Sequence, residues 1–209
     1  MKLRILKSAV TNPWFNLATE DWIFNTLNPD SHTLFLWRNS ETVVIGRSQN
    51  PWVECKTDKM DADDVFLARR QSGGGAVFHD LGNTNFTFLS PSDAYDQEAN
   101  FTVIINALKK LGIDATLSGR NDMQVGDRKI SGSAFRHAAD RMANLVDFNE
   151  AINHETLSDA IIEAFCEYHG EIAQVEQLDE ASLAKQPTLN DYYQQMADWD
   201  WRFGKTPEF

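Results

Sequence analysis

Cysteine is nearly absent from this chain. Its 209 residues include only Cys55 and Cys166, too few for a disulfide framework or a cysteine zinc site, which fits a reducing compartment. Long apolar runs are missing as well. None approaches the roughly 20 residues that cross a bilayer, so no membrane partner is expected. The opening Met1-Lys2-Leu3-Arg4-Ile5-Leu6 has neither a long apolar stretch nor a small-residue cleavage site, so a cytoplasmic protein is expected. Basic residues thin out toward the C-terminus: residues 1–68, 69–141 and 142–209 carry net charges of −2, +1 and −11. That acidic last third argues against nucleic acid as a partner, although solubility alone explains it equally well. The middle third keeps its cations, and an anionic small ligand is expected there. Repeats and low-complexity segments are absent.

What is present is core. Hydrophobic residues make up 42% of the chain, with six Trp and thirteen Phe, enough for one well-packed domain at this length. The expected division is a large subdomain over about 1–141 and a small helical one over about 142–209. Asn12-Pro13 reads as a helix start, and Trp14, Leu17, Ala18 and Phe24 share one face of a helix over about 13–28. Strands are expected at 2–6, 33–37, 42–45, 65–69, 76–79, 85–89, 115–117, 123–125, 129–133 and 172–177. Asn39-Ser40, Asn50-Pro51, the glycines at 73–75 and Gly82-Asn83 read as turns. Further helices are expected at 101–111, 154–169 and near 189–198. The clearest is 154–169, where Leu157, Ala160, Ile161, Ala164, Phe165 and Tyr168 form a stripe that Gly170 ends. Strands and helices do not alternate strictly, which favours an α+β fold with a mixed sheet over a doubly wound one.

Three segments carry chemistry. In Arg69-Arg70-Gln71-Ser72-Gly73-Gly74-Gly75-Ala76-Val77-Phe78-His79-Asp80, three successive glycines expose backbone N–H groups with no Cβ in the way. Such a turn can form an anion-binding concavity, and the flanking arginines would add charge-assisted bonds. It is neither a Walker loop nor a dinucleotide fingerprint, and taken alone a tight glycine turn in a sheet explains it better. Ser118-Gly119-Arg120-Asn121-Asp122 is a polar loop suited to orienting a nucleotide or holding magnesium, and alone an ordinary turn. In Gly126-Asp127-Arg128-Lys129-Ile130-Ser131-Gly132-Ser133-Ala134, a lysine opens a small-residue strand that a ligand can approach closely, though a single such lysine is more often a solvated one.

Together these segments resemble the lipoate–protein ligase A family, within the biotin/lipoate ligase superfamily. Residues 69–88 are similar to its signature. Pro13-Trp14-Phe15-Asn16-Leu17-Ala18, Leu34-Phe35-Leu36-Trp37-Arg38-Asn39 and Val43-Val44-Ile45-Gly46-Arg47 match its N-terminal part, and Gly119–Asp122 with Gly126–Ala134 match its second motif pair. The resemblance implies an enzyme that uses ATP to convert lipoate to lipoyl-AMP and then transfers the lipoyl group to a lysine of an acceptor protein. It assigns Lys129 as the catalytic residue, bridging the lipoate carboxyl and the α-phosphate. Arg70 and the backbone of Gly75, Ala76, Val77 and Phe78 become ATP contacts, joined by Asn121 and Asp122, with Asp122 also the magnesium ligand. Gly74, Gly75, Arg70, His79 and Leu17 line the lipoate site with Lys129. For His79, a packed histidine bonded to its neighbours is an equally good reading. The implied partners are lipoyl domains of 2-oxoacid dehydrogenase E2 subunits and the glycine cleavage H protein.

The sequence departs from that family at two junctions. Members carry extra residues between Val125 and Gly126 and several tens between Arg141 and Met142, so chain breaks beside mobile loops are expected at both. Longer members also continue past Phe209 into an accessory domain, so a catalytic domain without it is expected. An octanoyltransferase of the same superfamily is the alternative; it needs an acyl-accepting cysteine near the glycine loop, and neither Cys55 nor Cys166 is placed for that. A biotin ligase has a different glycine loop. A non-catalytic lipoate-binding scaffold follows if the second deletion is real, and retention of Lys129 and Arg70 counts against it.

Overall fold

The computed structural model describes residues 1–118, 122–132 and 148–205. In chain order the elements are β1 (Lys2–Ser8), α1 (Pro13–Asn25), β2 (Ser31–Trp37), β3 (Thr42–Ile45), α2 (Pro51–Glu54), α3 (Thr57–Ala62), β4 (Phe66–Arg69), β5 (Val77–His79), β6 (Asn85–Leu89), α4 (Gln97–Lys110), β7 (Thr116–Ser118), β8 (Asp122–Val125), β9 (Arg128–Gly132), α5 (His154–His169), β10 (Val175–Leu178), α6 (Ala181–Lys185) and α7 (Pro187–Ala197). A turn of π-helix, Asp200–Gly204, closes the described chain. Among the described residues three sheets form, in the orders β10-β1-β2-β6, β4-β3-β5 and β7-β8-β9. β3 pairs parallel with β4 and antiparallel with β5. The fold is α+β with mixed sheets.

The chain forms two compact units, each built from segments far apart in sequence. One comprises Met1–Ile5, Asn28–Leu34 and Phe88–Gln174; the other comprises Leu6–Leu27, Phe35–Thr87 and Val175–Phe209. In the first unit α4 packs on α5. Ile104, Ala107, Leu108, Ile161 and Phe165 are all buried, and the Phe88 and Phe165 rings lie 5.8 Å apart. α5 is bounded by a capping box between Asn153 and Thr156 and by Gly170 at φ 69°, the left-handed conformation that glycine tolerates. Its stripe is buried as the spacing demands, apart from Tyr168. α4 starts earlier than its apolar residues suggest, because Asp96 accepts from Ala99 N–H at 3.0 Å and caps a polar first turn.

In the second unit α1 packs against α7 and β4. Asn12 caps α1 through Trp14 and Phe15 N–H groups, with Pro13 in the first turn. The one-sided apolar face expected for this helix is not observed. Phe15, Asn16, Leu17, Ala18, Thr19, Trp22 and Ile23 are buried around most of its circumference, while Phe24 is 67% exposed. Neighbours on several sides, which no periodicity encodes, cause the difference. Asn50-Pro51 does not remain a turn. It starts α2 with the same cap-and-proline geometry as Asn12-Pro13.

Val125 pairs with Arg128 across a two-residue turn, and only Gly126 of the two takes a positive φ, 61°. This is the glycine-first hairpin turn that matches strand twist. The Arg141/Met142 junction and Asn121 lie outside the described residues. Among the described residues, no helix is long and apolar enough to cross a membrane.

Candidate functional site

The glycine segment joins β4 to β5 and is clamped by its own arginine. Arg70 Nε and Nη2 donate to Gly73 O (3.2 and 2.9 Å), Nη2 also reaches Gly75 O (2.9 Å), and Nη1 reaches Val44 O (3.1 Å). Gly74 sits at φ 106°, and a Cβ built there would lie 2.6 Å from Arg70 Nη2. From the other side, a Cβ on Gly46 would lie 2.1 Å from Gly74 O, so β3 and the loop approach backbone to backbone. Gly73 through Phe78 are exposed. Among the described residues, the N–H groups of Gly73, Gly74, Gly75 and Ala76 donate to no protein acceptor. A row of open donors on a loop held by a guanidinium is suited to an anion.

These contacts separate the glycines by role. Gly74→Val is expected to deform the turn, destabilising the protein by about 1–3 kcal/mol and lowering anion affinity. At Gly75, nothing lies within 4 Å of an added Cβ. Gly75→Val should therefore change stability by less than about 0.5 kcal/mol, and any loss it causes in calorimetric ligand binding reports direct approach of the ligand.

Arg69, expected to help bind the anion, does something else. It is fully buried and bonds five backbone carbonyls: Trp201 O (2.8 Å), Gly46 O (3.3 Å), Arg47 O (2.9 Å), Gln49 O (2.7 Å) and Arg202 O (2.9 Å). Trp201 Nε1 returns a bond to Arg69 O at 2.9 Å. The first arginine of the pair is a strut for the loop after β3 and for the closing π-turn; only Arg70 faces the glycines.

Sequence reasoning missed the polar network in this unit. Asn16, fully buried, accepts from Ser8 Oγ (2.6 Å) and donates to Arg38 O (2.9 Å) and Asn39 Oδ1 (2.9 Å). Asn39 Nδ2 continues to His79 Nδ1 at 3.2 Å. Burial, then the Arg70 charge, lower the His79 pKa to about 4 against the opposing pull of Asp80. His79 is therefore neutral near pH 7, with Nδ1 accepting and the proton on Nε2. It is a hydrogen-bonded packed histidine whose ring also meets Trp37 edge-on, at 5.9 Å between centroids. A second chain runs from Trp37 Nε1 to Thr87 Oγ1 (3.3 Å) and from Thr87 Oγ1 to Glu20 Oε1 (2.5 Å). Polar residues inside otherwise apolar segments were the available signal. Leu17 is 3% exposed and belongs to the core, where it offers no surface to a ligand in this conformation.

Adjacent to this chain, Asp21 has its pKa raised to about 7, first by burial and then by Glu20, with a bond from Gln71 opposing. Burial also raises Glu20, against its bond from Thr87 and the Arg70 charge. A carboxyl raised in the folded state stabilises the fold when protonated, and that contribution is lost as pH climbs from the ordinary 3.8 through about 7. Asp21→Asn should therefore raise the thermal midpoint by several degrees at pH 8. The difference from wild type should vanish near pH 4, and a pH-independent difference would refute the assignment.

The other expected site residues lie in the first unit. Lys129 Nζ is 3.0 Å from Asp122 Oδ2, with the side chains 17% and 37% exposed. Their meeting depends on an irregular register. From the pair Asp122↔Gly132, an unbroken ladder would set Lys129 opposite Val125, on the Met123 face. The observed shift between Met123 and Gln124 sets it opposite Gln124, on the face of Asp122. The extra residue, Ile130, is buried instead with Met123. The structure thus brings Lys129 to Asp122, and brings Arg70 to the loop of Gly74, Gly75, Ala76, Val77 and Phe78. Cys55 packs beside Ile45, Met60 and Leu67, and burial raises its thiol pKa, opposite to what a nucleophile needs.

Residues 12–198 match the family described as the lipoyl protein ligase A/B catalytic domain. The chain belongs to this family. It is 75% identical to lipoate-protein ligase A of Psychrobacter cryohalolentis, covering 100% of this chain and 74% of that protein. The match runs over 252 residues against the 209 present here, so internal segments of that relative have no counterpart. P. falciparum LipL1, solved in complex with lipoate, superimposes with a TM-score of 0.88 at 34% identity, covering 100% of this chain and 76% of LipL1. A lipoate-protein ligase A bound with ATP shares the fold, with a TM-score of 0.83 at 24% identity over 98% of this chain and 100% of that one. As a lipoyl protein ligase, the chain is an enzyme of the amide-forming class that acts on lipoate.

Proposed function

We propose that this ligase works in two half-reactions, with Lys129 carrying the first. A lipoate carboxylate oxygen attacks the α-phosphorus of ATP, forming lipoyl-AMP and releasing pyrophosphate. The ε-amine of an acceptor lysine then attacks the acyl carbon, forming the amide and releasing AMP and the amine proton. Two anions must approach in the first step, so a fixed cation lowers the barrier. The observation that carries this reading is the Lys129 ammonium, little exposed and fixed on a bulged hairpin at 3.0 Å from a carboxylate. Arg70 and the open N–H row over Gly73–Ala76 supply donors for phosphate and carboxylate oxygens, and Phe78 and Gly75 take the nucleotide.

Support for the substrates comes from the relatives: LipL1 was solved with lipoate and a ligase of the same fold with ATP. Magnesium fits only as an ion carried in on ATP phosphates, because Asp122 is one carboxylate and no group of three metal-ligating side chains occurs among the described residues. When bound it would neutralise phosphate charge, with Asp122 at one vertex. The acceptors are lipoyl domains of 2-oxoacid dehydrogenase E2 subunits and the glycine cleavage H protein, and the setting is the cytoplasm, where both free cysteines stay reduced. Pyrophosphate release on mixing the protein with lipoate and ATP tests the reading. Release should require both substrates, and AMP release should follow addition of an acceptor domain. Acyl transfer from a carrier protein without ATP would overturn it.

A further inference from the structure

A groove of about 250 Å³ opens beside β4 in the second unit, lined by Trp14, Met60, Asp61, Phe66 and Arg202 among others, and the ligase reaction gives it no task. Trp14 and Phe66 form its aromatic wall, edge to face with centroids 5.4 Å apart. The indole N–H of Trp14 is spent on Leu67 O at 3.1 Å, so that ring offers only apolar surface. Arg202 lies over Trp14 with its guanidinium carbon 4.8 Å from the ring centroid. Its Nε reaches Asp198 O at 3.4 Å. Among the described residues neither Nη has a protein acceptor. Asp61 lines the same groove and no ion pair joins it to Arg202 among the described residues; burial lowers the Arg202 pKa, opposed first by the Asp198 charge and then by that of Asp61.

An unclosed ion pair across an aromatic wall selects a dipolar guest. A simple carboxylate would meet Arg202 but also Asp61 and the exposed Asp64; a simple amine would meet the carboxylates but also the guanidinium. A molecule carrying both charges on one carbon satisfies both ends while its side chain covers Trp14, Phe66 and Met60. Size narrows the class further, since about 250 Å³ falls below the roughly 300–1,000 Å³ of sites for drug-sized ligands. We propose that this groove is a second ligand site that binds a free α-amino acid with a large apolar side chain, its carboxylate on Arg202 and its ammonium on Asp61.

The test is titration of the full chain with L-phenylalanine, followed by the Trp14 indole N–H resonance. Comparators are phenethylamine, 3-phenylpropionate and N-acetyl-L-phenylalaninamide. L-Phenylalanine should give a saturable shift at Trp14 and bind at least about tenfold more tightly than each comparator, since an unmatched charge loses a charge-assisted bond. Arg202→Gln, whose backbone carbonyl still serves Arg69, and Asp61→Asn should each weaken binding by about tenfold with spectral dispersion unchanged. No saturable shift, equal affinity for the blocked amide, or full affinity in both variants would overturn the proposal. Lipoate-dependent pyrophosphate release, measured in parallel, reports on the ligase reading separately.

Discussion

Replacing Lys129 with alanine should lower lipoate-dependent pyrophosphate release by at least about a hundredfold to a thousandfold, the range seen when a preorganised charge stabiliser is removed. In the proposed first half-reaction this ammonium is the cation between the two anions, and solvent would be a poor substitute where Lys129 is only 17% exposed. The fold should survive. Asp122, left behind, is 37% exposed and can recover water, and the hairpin register rests on Gly126, Met123 and Ile130. Lys129→Arg should be nearly as poor, because a planar fork cannot replace a compact ammonium between two anions. Near-wild-type release by either variant, with a wild-type melting curve, would remove Lys129 from the reaction.

Arg69→Ala should destabilise the protein by about 3–5 kcal/mol, the cost of breaking a buried charged network. Five carbonyls lose a donor at once, and set against a total stability of about 5–15 kcal/mol the variant should be largely unfolded at modest urea. Arg69→Lys should recover little, since three donors on one nitrogen cannot span carbonyls from Gly46 to Arg202. Urea midpoints decide this. A midpoint within about 0.3 M of wild type would mean the carbonyls find water at no cost. The contrast with Arg70 is the useful one: removing the neighbouring arginine should loosen the glycine loop and affect ligand binding far more than global stability.

Much of this was legible in the sequence. The stripe of α5 and its Gly170 end, the Asn12-Pro13 start of α1, the strand at 42–45 and the glycine loop follow from local rules, because capping, periodicity and positive φ are properties of a few neighbouring residues. The family resemblance rested on motifs and was confirmed by the match over residues 12–198. The sequence also marked two junctions, after Val125 and Arg141, where the family carries more residues, and the match to the Psychrobacter protein runs over 252 residues against 209 here. What local rules could not reach was the environment of each side chain. Two adjacent arginines look alike in sequence, yet packing by Trp201 and the loop after β3 makes Arg69 a buried strut and leaves Arg70 at the glycines. Periodicity placed Phe24 inside and said nothing of Asn16, because burial of α1 is set by neighbours distant in sequence. The identity of Lys129 was readable from its motif, but its position beside Asp122 depends on one unpaired residue in a ladder. Residue types and short spacings thus determined the family and the glycine loop, and singled out Lys129 as the candidate cation. Only the tertiary structure decided which charges are buried, which donors stay open and which face the lysine takes, because those depend on the summed contacts of residues far apart in the chain.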